Sequence, residues 1–483
     1  MPRNFTELLD ACRNGAVEPR SDSRTVRPGD VFIAVPGETE DGARFIPAAA
    51  EAGADFIVCR PDVRREILET AKNCRVIHHD DPREALWRLA QARWHTDRLP
   101  LKILGVTGTN GKTTVSCLLE HLFVSLGEKV GVMGTIAYRW PGHRQAAPLT
   151  TPDTLTLHSL LRRMADAGVS VAVMEVSSHA LDQQRVYGIP FAGAIFTNLT
   201  QDHLDYHQDI ESYFAAKAKL FLSLPREDKA MVINCDDDFG RRLLDLCPSA
   251  LPFGLVSGGR EPLLKGKTIA LNPQGIRLRM SHAETIWEIA SPLVGDFNAS
   301  NLLAVQALGL ALGLRPGDFS ALETFSGVHG RLERVDNPAG MNVFVDYAHT
   351  PDALVNVLQA LRGAGFARII AVFGCGGNRD KTKRPLMGEA VARYADIAVL
   401  TSDNPRFEDP AAIIDDVLPG LATARKVYVE QDRRKATALA LNMLTKNDAL
   451  LIAGKGHEDY QIIQGTRRHY SDQETVRELL RCD

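Results

Sequence analysis

KILGVTGTNGKTTVSCLLEHLF, residues 102–123, runs from an apolar strand through a glycine-rich turn into a helix. Gly105, Gly108 and Gly111 let backbone N–H groups approach phosphates closely, and the helix that follows presents its N-terminus to negative charge. Within the turn, Gly108, Thr109, Asn110, Gly111, Lys112, Thr113 and Thr114 form the candidate nucleotide loop. Lys112 is placed to reach the terminal phosphates and the Thr113 hydroxyl to ligate Mg²⁺. The usual G-x-x-x-x-G-K spacing puts a glycine where this chain has Val106, so the loop is a variant. A plain strand-to-helix turn is the bland reading. GKTT in this context outweighs it, and ATP or GTP binding follows.

On both sides of the loop, short β-branched runs alternate with helical stretches, as in parallel α/β layers. VFIAV (31–35) and FIVC (56–59) precede it. VSVAVMEV (169–176), AGAIFTN (192–198) and AMVIN (230–234) follow, and then a helix after Asn298. Pro100 and the glycines of FSGVHGRLERV (325–335) mark two breaks. Beyond the second come MNVFVD (341–346), RIIAVFG (368–374), DIAVLT (396–401) and DALLIAG (448–454). The expected domains are 1–98, 99–328 and 329–483. With 483 residues, three domains also match a length of roughly 150 residues per domain.

Composition narrows the class. Apolar residues at 45% and charged residues at 24% describe a folded globular protein rather than a disordered or fibrous one. The net charge of −4 lacks the basic field of a nucleic-acid binder, so no nucleic-acid partner is expected. The longest mostly apolar run, Leu302 to Leu314, is too short to span a bilayer, and the N-terminus has no signal-like apolar core. Eight scattered cysteines without a CxxC pair read as reduced core thiols. A cytoplasmic location is expected.

Downstream of the loop, Glu175 closes an apolar strand, where a carboxylate either holds the nucleotide's metal or caps the next turn. TNLTQDHLDYH (197–207) brings Asp202, His203, Asp205 and His207 together, as a metal site or as a satisfied polar loop. Lys217 and Lys219 read as solvated helix positions. In the last third, three strands each end in a charged loop: CGGNRDKTKRP (375–385) with Arg379, SDNPR (402–406) with Asp403 and Arg406, and KGHEDYQ (455–461) with Glu458. In a parallel sheet such loops share one edge. Two arginines beside two carboxylates suit a ligand that carries both carboxylate and ammonium groups; ordinary surface ion pairs are the alternative.

In order, TGTNGKTT (107–114), MEVSSH (174–179), TNLTQDHLDYH, GDFNASN (295–301), GRLERV (330–335) and VDYAHTP (345–351) resemble the Mur ligase family of ATP-dependent amide-bond-forming enzymes. SDNPR followed by AGKGHEDYQ is similar to its diaminopimelate-adding branch. The resemblance implies a three-domain α/β fold, with a central P-loop ATPase-type parallel sheet and a Rossmann-like C-terminal domain. It implies a step of peptidoglycan precursor synthesis, with UDP-N-acetylmuramoyl-L-alanyl-D-glutamate, meso-diaminopimelate and ATP as substrates, an acyl phosphate intermediate and a monomeric enzyme. It also assigns roles. Lys217 is the lysine that CO₂ carbamylates. Thr113 and Glu175 hold one Mg²⁺, and His203 with carbamylated Lys217 a second. Lys112, Lys217, His203 and Glu175 form the catalytic set. Asn298, Arg331 and Asp346 join the loop as nucleotide contacts. Ser21, Ser23, the loop after Gly37, Thr150, Thr151, Ser177, Gln183 and Arg185 take the UDP-dipeptide. Arg379, Asp403, Asn404, Pro405, Arg406, Gly454 and Glu458 take diaminopimelate.

Three other readings stand beside this one. A folylpolyglutamate synthetase-like ligase is disfavoured by DNPR and HEDYQ, and a lysine-adding relative by the second arginine, which answers a second carboxylate. A P-loop switch without ligase activity would turn over nucleotide with no amino acid present.

Overall fold

The computed structural model describes residues 2–37, 40–200, 204–222, 230–255 and 261–481. The chain packs as two compact units. The first is built on residues 1–253 and 304–315, the second on residues 263–303 and 316–483.

Two sheets make up the first unit. The smaller has four parallel strands in the order Pro19–Arg20, Val31–Ile33, Phe56–Cys59, Arg75–His78. Strand periodicity sorts its side chains onto two faces. Val31, Ile33, Phe56 and Val58 pack with Leu8 and Leu89 of the helices Phe5–Arg13 and Pro82–Trp94. Phe32, Ala34, Ile57 and Cys59 pack on the other face with Ile46 and Ala49. Asp81 starts the helix Pro82–Trp94 by accepting from the N–H groups of Arg83 (2.8 Å) and Glu84 (3.3 Å), and Pro82 fills the first turn, where no N–H is needed.

In the larger sheet, six parallel strands run Leu251–Gly254, Ala230–Asn234, Phe191–Phe196, Lys102–Thr107, Val171–Glu175, Val130–Met133. The phosphate-loop strand Lys102–Thr107 therefore lies inside the sheet, and its residues from Ile103 on are buried. A strand with both faces covered reads as a continuous apolar run, which is why KILGV was legible.

The expectation of parallel layers is corrected by antiparallel strands. Ala137–Trp140 and His143–Ala146 extend the larger sheet antiparallel. In the second unit, Leu264–Asn272, Gly275–His282 and Thr285–Ser291 form an antiparallel meander. Ile276, Leu278 and Met280 are buried while Arg277 and Arg279 are exposed, the alternation of a sheet with one solvated face.

The second unit's main sheet has the order Glu333–Arg334, Val343–Asp346, Ala449–Ala453, Ile369–Phe373, Ile397–Leu400, Val427–Val429, parallel except for the first pair. Its two faces bury different residues: Phe344, Ile369, Ala371, Phe373 and Leu451 on one, Val343, Val345, Ile370, Val372 and Ile452 on the other. Ala449–Ala453 sits between the strands that start at Val343 and Ile369. Consequently the loops after residues 346, 373, 400 and 453 open along one edge. Among the described residues, no helix is long and apolar enough to cross a membrane. Their seven cysteines are free thiols, and burial pushes Cys12 and Cys375 up to about 12.

One buried group makes the fold sensitive to acid. His158, in the helix Thr154–Asp166, has no exposed surface and shares a 2.6 Å hydrogen bond with the Thr96 hydroxyl. Burial pushes its pKa down to about 3. An unfolded histidine titrates near 6.5. Above that pH the ring is neutral in both states. Between about 6.5 and about 3 only the unfolded chain takes up the proton, so stability falls by about 1.4 kcal/mol per pH unit. Denaturant midpoints measured from pH 7 to pH 5 should therefore decline, and His158→Gln should flatten that decline. An equally steep profile in the variant would move the effect to other groups.

Candidate active site

The larger sheet delivers the glycine turn to its C-terminal edge, and the helix Lys112–Ser125 starts at Lys112. Gly108 at φ +148° and Gly111 at φ +86° hold a backbone that L side chains rarely adopt, and a Cβ on Gly108 would overlap the Thr197 hydroxyl. The neighbouring strand's end pins the loop. The Asn198 carbonyl accepts from the Thr109 N–H (2.9 Å), the Asn198 Oδ1 from the Asn110 N–H (3.0 Å), and Thr197 Oγ1 donates to the Asn110 carbonyl (2.6 Å). Lys112 Nζ lies along the loop and donates to the carbonyls of Gly108 and Thr109, both at 2.8 Å. Thr114 is half-buried on the first turn.

Behind the loop sits a buried carboxylate. Glu175, 2% exposed, accepts from Thr113 Oγ1 (2.9 Å), the Thr135 N–H (3.0 Å) and Thr135 Oγ1 (3.1 Å). The next helix is capped by Ser177, which accepts from the Ala180 N–H at 3.2 Å. Hydroxyl and carboxylate oxygens at this spacing suit a hard cation such as Mg²⁺. Gly134 leaves the carboxylate its room, since a Cβ there would overlap Glu175 Oε1. Gly134→Ala should therefore displace Glu175 and lower kcat by about one order of magnitude at saturating ATP. Unchanged kcat would show that the position of this carboxylate does not matter.

Lys217 is not the solvated position that its sequence suggests. It is 1% exposed, donates from Nζ to the Gly108 carbonyl at 2.9 Å and lies 4.6 Å from the Tyr213 ring centroid. Two residues on, about 200° around the helix, Lys219 faces outward and pairs with Asp182 at 2.8 Å. Lys112 and Lys217 thus converge on one carbonyl. Asp202 and His203 lie outside the described residues. His207 shares a 2.8 Å hydrogen bond with Ser178 Oγ. Among the described residues, no group of three or more His, Cys, Asp or Glu is placed to hold a metal ion.

Five residues expected to take the UDP-dipeptide meet at this edge. Thr151 Oγ1 donates to the Glu175 carbonyl (2.8 Å) and accepts from the Ser177 N–H (2.9 Å). Thr150 Oγ1 bonds Thr135 Oγ1 (3.1 Å). Arg185 donates to the Thr151 carbonyl (3.2 Å) and, through Nε, to Gln183 Oε1 (2.9 Å). In the small sheet's domain, Ser21 is exposed and Ser23 opens a short 3-10 turn. Glu38 and Thr39, after Gly37, lie outside the described residues. The acids that follow are paired, Glu40 with Arg44 at 2.6 Å and Asp41 with Arg60 at 3.0 Å.

In the second unit the charged loops do meet. Asn404 is the hinge between two of them: its Nδ2 donates to Glu458 Oε2 (2.9 Å), while its Oδ1 accepts from the Ile462 N–H (2.9 Å) and from Lys455 Nζ (3.2 Å), a fully buried ammonium. Arg406, at φ +55°, donates from Nη1 to the Gly377 carbonyl at 2.7 Å. Pro405 packs its carbonyl where Gly377 has no side chain. Gly376 is flanked by both arginines: a Cβ there would lie 3.0 Å from Arg406 Nη1 and 3.9 Å from Arg379 Cγ. Neither arginine pairs with Asp403 or Glu458 among the described residues; Glu458 lies 3.5 Å from Lys455 Nζ and Asp403 lies 3.9 Å from Arg433 Nη1.

The remaining nucleotide candidates in this unit are buried or half-buried. Asp346 accepts from the N–H groups of Leu332 (2.5 Å) and Ala348 (2.7 Å), and burial pushes its carboxyl up although Arg331 opposes. Arg331 lies over the Tyr347 ring at 5.0 Å. Asn298 is tied to the start of its own helix, donating to the Val294 carbonyl just before it at 2.8 Å and accepting from Asn301 at 3.0 Å. Burial raises the Tyr347 phenol, with Glu458 adding and Arg331 and Arg379 opposing. Sequence reading missed Tyr347, Lys455, Thr135 and Asn198. The last two lie two residues past the strand ends Met133 and Phe196, so the rule that found Glu175 could have found them.

Three families match the chain in order: Mur ligase family, catalytic domain, over residues 20–94; Mur ligase middle domain over 106–309; and Mur ligase, glutamate ligase domain, over 330–456. A protein of Lawsonia intracellularis (strain PHE/MN1-00), named UDP-N-acetylmuramoyl-L-alanyl-D-glutamate--2,6-diaminopimelate ligase, is 53% identical over 464 residues, covering 96% of this chain and 95% of its own. A Synechococcus elongatus protein of the same name is 44% identical, covering 95% and 92%. A solved structure with that name in its description superposes with a TM-score of 0.71 at 33% identity, covering 96% of this chain and 94% of that one.

Proposed function

The chain belongs to the Mur ligase family, and we infer that it joins meso-diaminopimelate to the γ-carboxylate of D-glutamate in UDP-N-acetylmuramoyl-L-alanyl-D-glutamate, with ATP cleaved to ADP and phosphate. The observation that carries the choice of amino acid is the Asp403–Arg406 loop locked to Glu458 through Asn404, with Arg406 and Arg379 flanking Gly376. The test is phosphate release from ATP with the UDP-dipeptide and Mg²⁺, in parallel with meso-diaminopimelate, L-lysine or no amino acid, and with the product weighed by mass spectrometry. Release that depends on diaminopimelate and yields the tripeptide mass is expected. Dependence on lysine overturns the pocket, and release indifferent to both revives the nucleotide switch.

The γ-carboxylate attacks the γ-phosphorus of ATP, forming an acyl phosphate and releasing ADP. The amine of diaminopimelate then attacks the acyl carbon, loses a proton and expels phosphate. The loop from Gly108 to Thr114 holds the phosphates through its N–H groups, and Lys112 supplies positive charge to them. Thr150, Thr151, Ser177, Gln183 and Arg185 hold the dipeptide end beside Glu175, with Ser21 and Ser23 assigned to the UDP end. Asn298, Arg331 and Asp346 are assigned to the nucleotide as well. Arg379 and Arg406 take the carboxylates of the amino acid, and Asp403 and Glu458 its ammonium groups. The domain limits 1–98, 99–328 and 329–483, a monomeric state and a cytoplasmic location belong to the same proposal.

Thr113 and Glu175 would hold a Mg²⁺, which when bound neutralises charge on the transferring phosphoryl group. His203 is assigned to a second one. Lys217 fits such a site only after modification. Its neutral amine adds CO₂ to give a carbamate and a proton, which turns a cation into an anionic oxygen donor. Two ammonium groups directed at the Gly108 carbonyl repel each other, and a carbamate on Lys217 replaces that repulsion with an attraction to Lys112. Protein equilibrated with ¹³C-bicarbonate should show one carbamate carbon resonance that Lys217→Arg abolishes. A resonance that persists in the variant assigns the modification elsewhere.

A further inference from the structure

Behind the amino-acid pocket, three buried charges stand in a row. Arg433, the first residue of the helix Arg433–Met443, makes a two-pronged ion pair with Asp472, the first residue of the helix Asp472–Leu479. Its Nε and Nη2 donate to the two carboxylate oxygens at 2.8 and 2.7 Å, and the two side chains are 1% and 0% exposed. Nη2 also donates to the Ala453 carbonyl at 2.9 Å, one residue before Gly454. The third nitrogen, Nη1, has no hydrogen-bond partner among the described residues, and it points at Asp403 Oδ2, 3.9 Å away.

Asp403 Oδ2 is likewise buried without a hydrogen bond, while Oδ1 accepts from the Asn404 N–H at 2.6 Å. Gly454, at φ +113°, makes room for Oδ2, since a Cβ there would come within 2.6 Å of it. A pair that served packing alone would use its N–H groups within the pair, because buried donors are almost always satisfied. At 3.9 Å the guanidinium attracts the carboxylate without a hydrogen bond that would occupy it. One guanidinium between two carboxylates leaves one net negative charge, the complement of an ammonium group.

We infer that Arg433, anchored by Asp472, is a positioning residue that holds the Asp403 carboxylate in place and leaves it one charge short of neutral, ready for the ammonium of the incoming amino acid. The inference rests on the reading of this pocket as the amino-acid site, and it ties that site to the starts of two helices and the end of the Ala449–Ala453 strand.

Two variants of the full-length chain test it. Arg433→Met combined with Asp472→Leu removes both charges at similar volume, a replacement that buried ion pairs commonly tolerate. Arg433→Lys keeps the charge, but one ammonium cannot serve Asp472, Ala453 and Asp403 together. In each, KM for meso-diaminopimelate should rise by about tenfold or more while KM for ATP and for the UDP-dipeptide stay within about twofold. If the double variant does not fold, Arg433→Lys carries the test. An unchanged KM for the amino acid, or equal changes in all three constants, overturns the positioning role. Asp403→Asn is measured beside them. If it too leaves the amino-acid KM unchanged, the pocket reading itself has failed; if it raises KM while the Arg433 variants do not, only the positioning role has.

Discussion

Lys112→Ala should reduce kcat by about 10³-fold or more and leave no acyl phosphate that hydroxylamine can trap as a hydroxamate. The size follows from what the side chain does. The loop's N–H groups are fixed in place by Asn198 and Thr197, so phosphate binding survives the change in part. What is lost is the positive charge, which matters most when negative charge builds on the transferring phosphoryl oxygens. Lys112 donates to the carbonyls of Gly108 and Thr109 in its own loop, and the melting temperature is measured beside kcat to show that the variant folds. Intact folding with lost phosphoryl transfer separates a charge role from a structural one. Near-normal hydroxamate formation in the variant would falsify the assignment, and the buried Lys217 would then be the cation to test next.

The parts of this protein that sequence could reveal are those written in local pattern. KILGV, FIVC, AMVIN and DALLIAG are strands because both faces are covered and the runs are apolar apart from Lys102, Asn234 and Asp448 at their ends. The antiparallel meander was missed because its signal is weaker: strands such as TIWEIAS expose Ile286 and hold charges on one face, so they resemble polar connections. The site divides along the same line. The glycine loop and DNPR announce themselves through spacing and charge. Lys217 does not, because AAKAKLFL allows either lysine to face water, and only helix phase against the loop decides that Lys217 turns inward. Lys455, Arg433 and Asp472 are charged residues with almost no exposed surface, a state that composition argues against until partners distant in sequence are known. The resemblance supplied roles for several of these positions, and it is silent on the buried charges behind the pocket.

The amino-acid pocket predicts its own large effect. Arg406→Lys should raise KM for meso-diaminopimelate by about 10²-fold, with kcat changed far less. The substitution keeps the positive charge and leaves the backbone as it is. Arg406 N–H donates to the Ile462 carbonyl at 3.0 Å, its own carbonyl accepts from Gln464 at 2.6 Å, and neither bond involves the side chain. The guanidinium uses Nη1 on Gly377, and its other N–H groups have no hydrogen-bond partner among the described residues. A planar fork anchored at one prong and open at the other can grip a carboxylate through two parallel bonds, which a single ammonium cannot do. The second carboxylate is what sets diaminopimelate apart from lysine. If Arg406 grips that one, the variant should lose most of its preference between the two amino acids, because lysine has nothing there to lose. If Arg406 instead holds the carboxylate that both share, both KM values should climb together and the preference should survive. Measuring the two constants in the same variant therefore decides which end of the amino acid this arginine reads, and a KM for diaminopimelate that does not move removes Arg406 from the pocket.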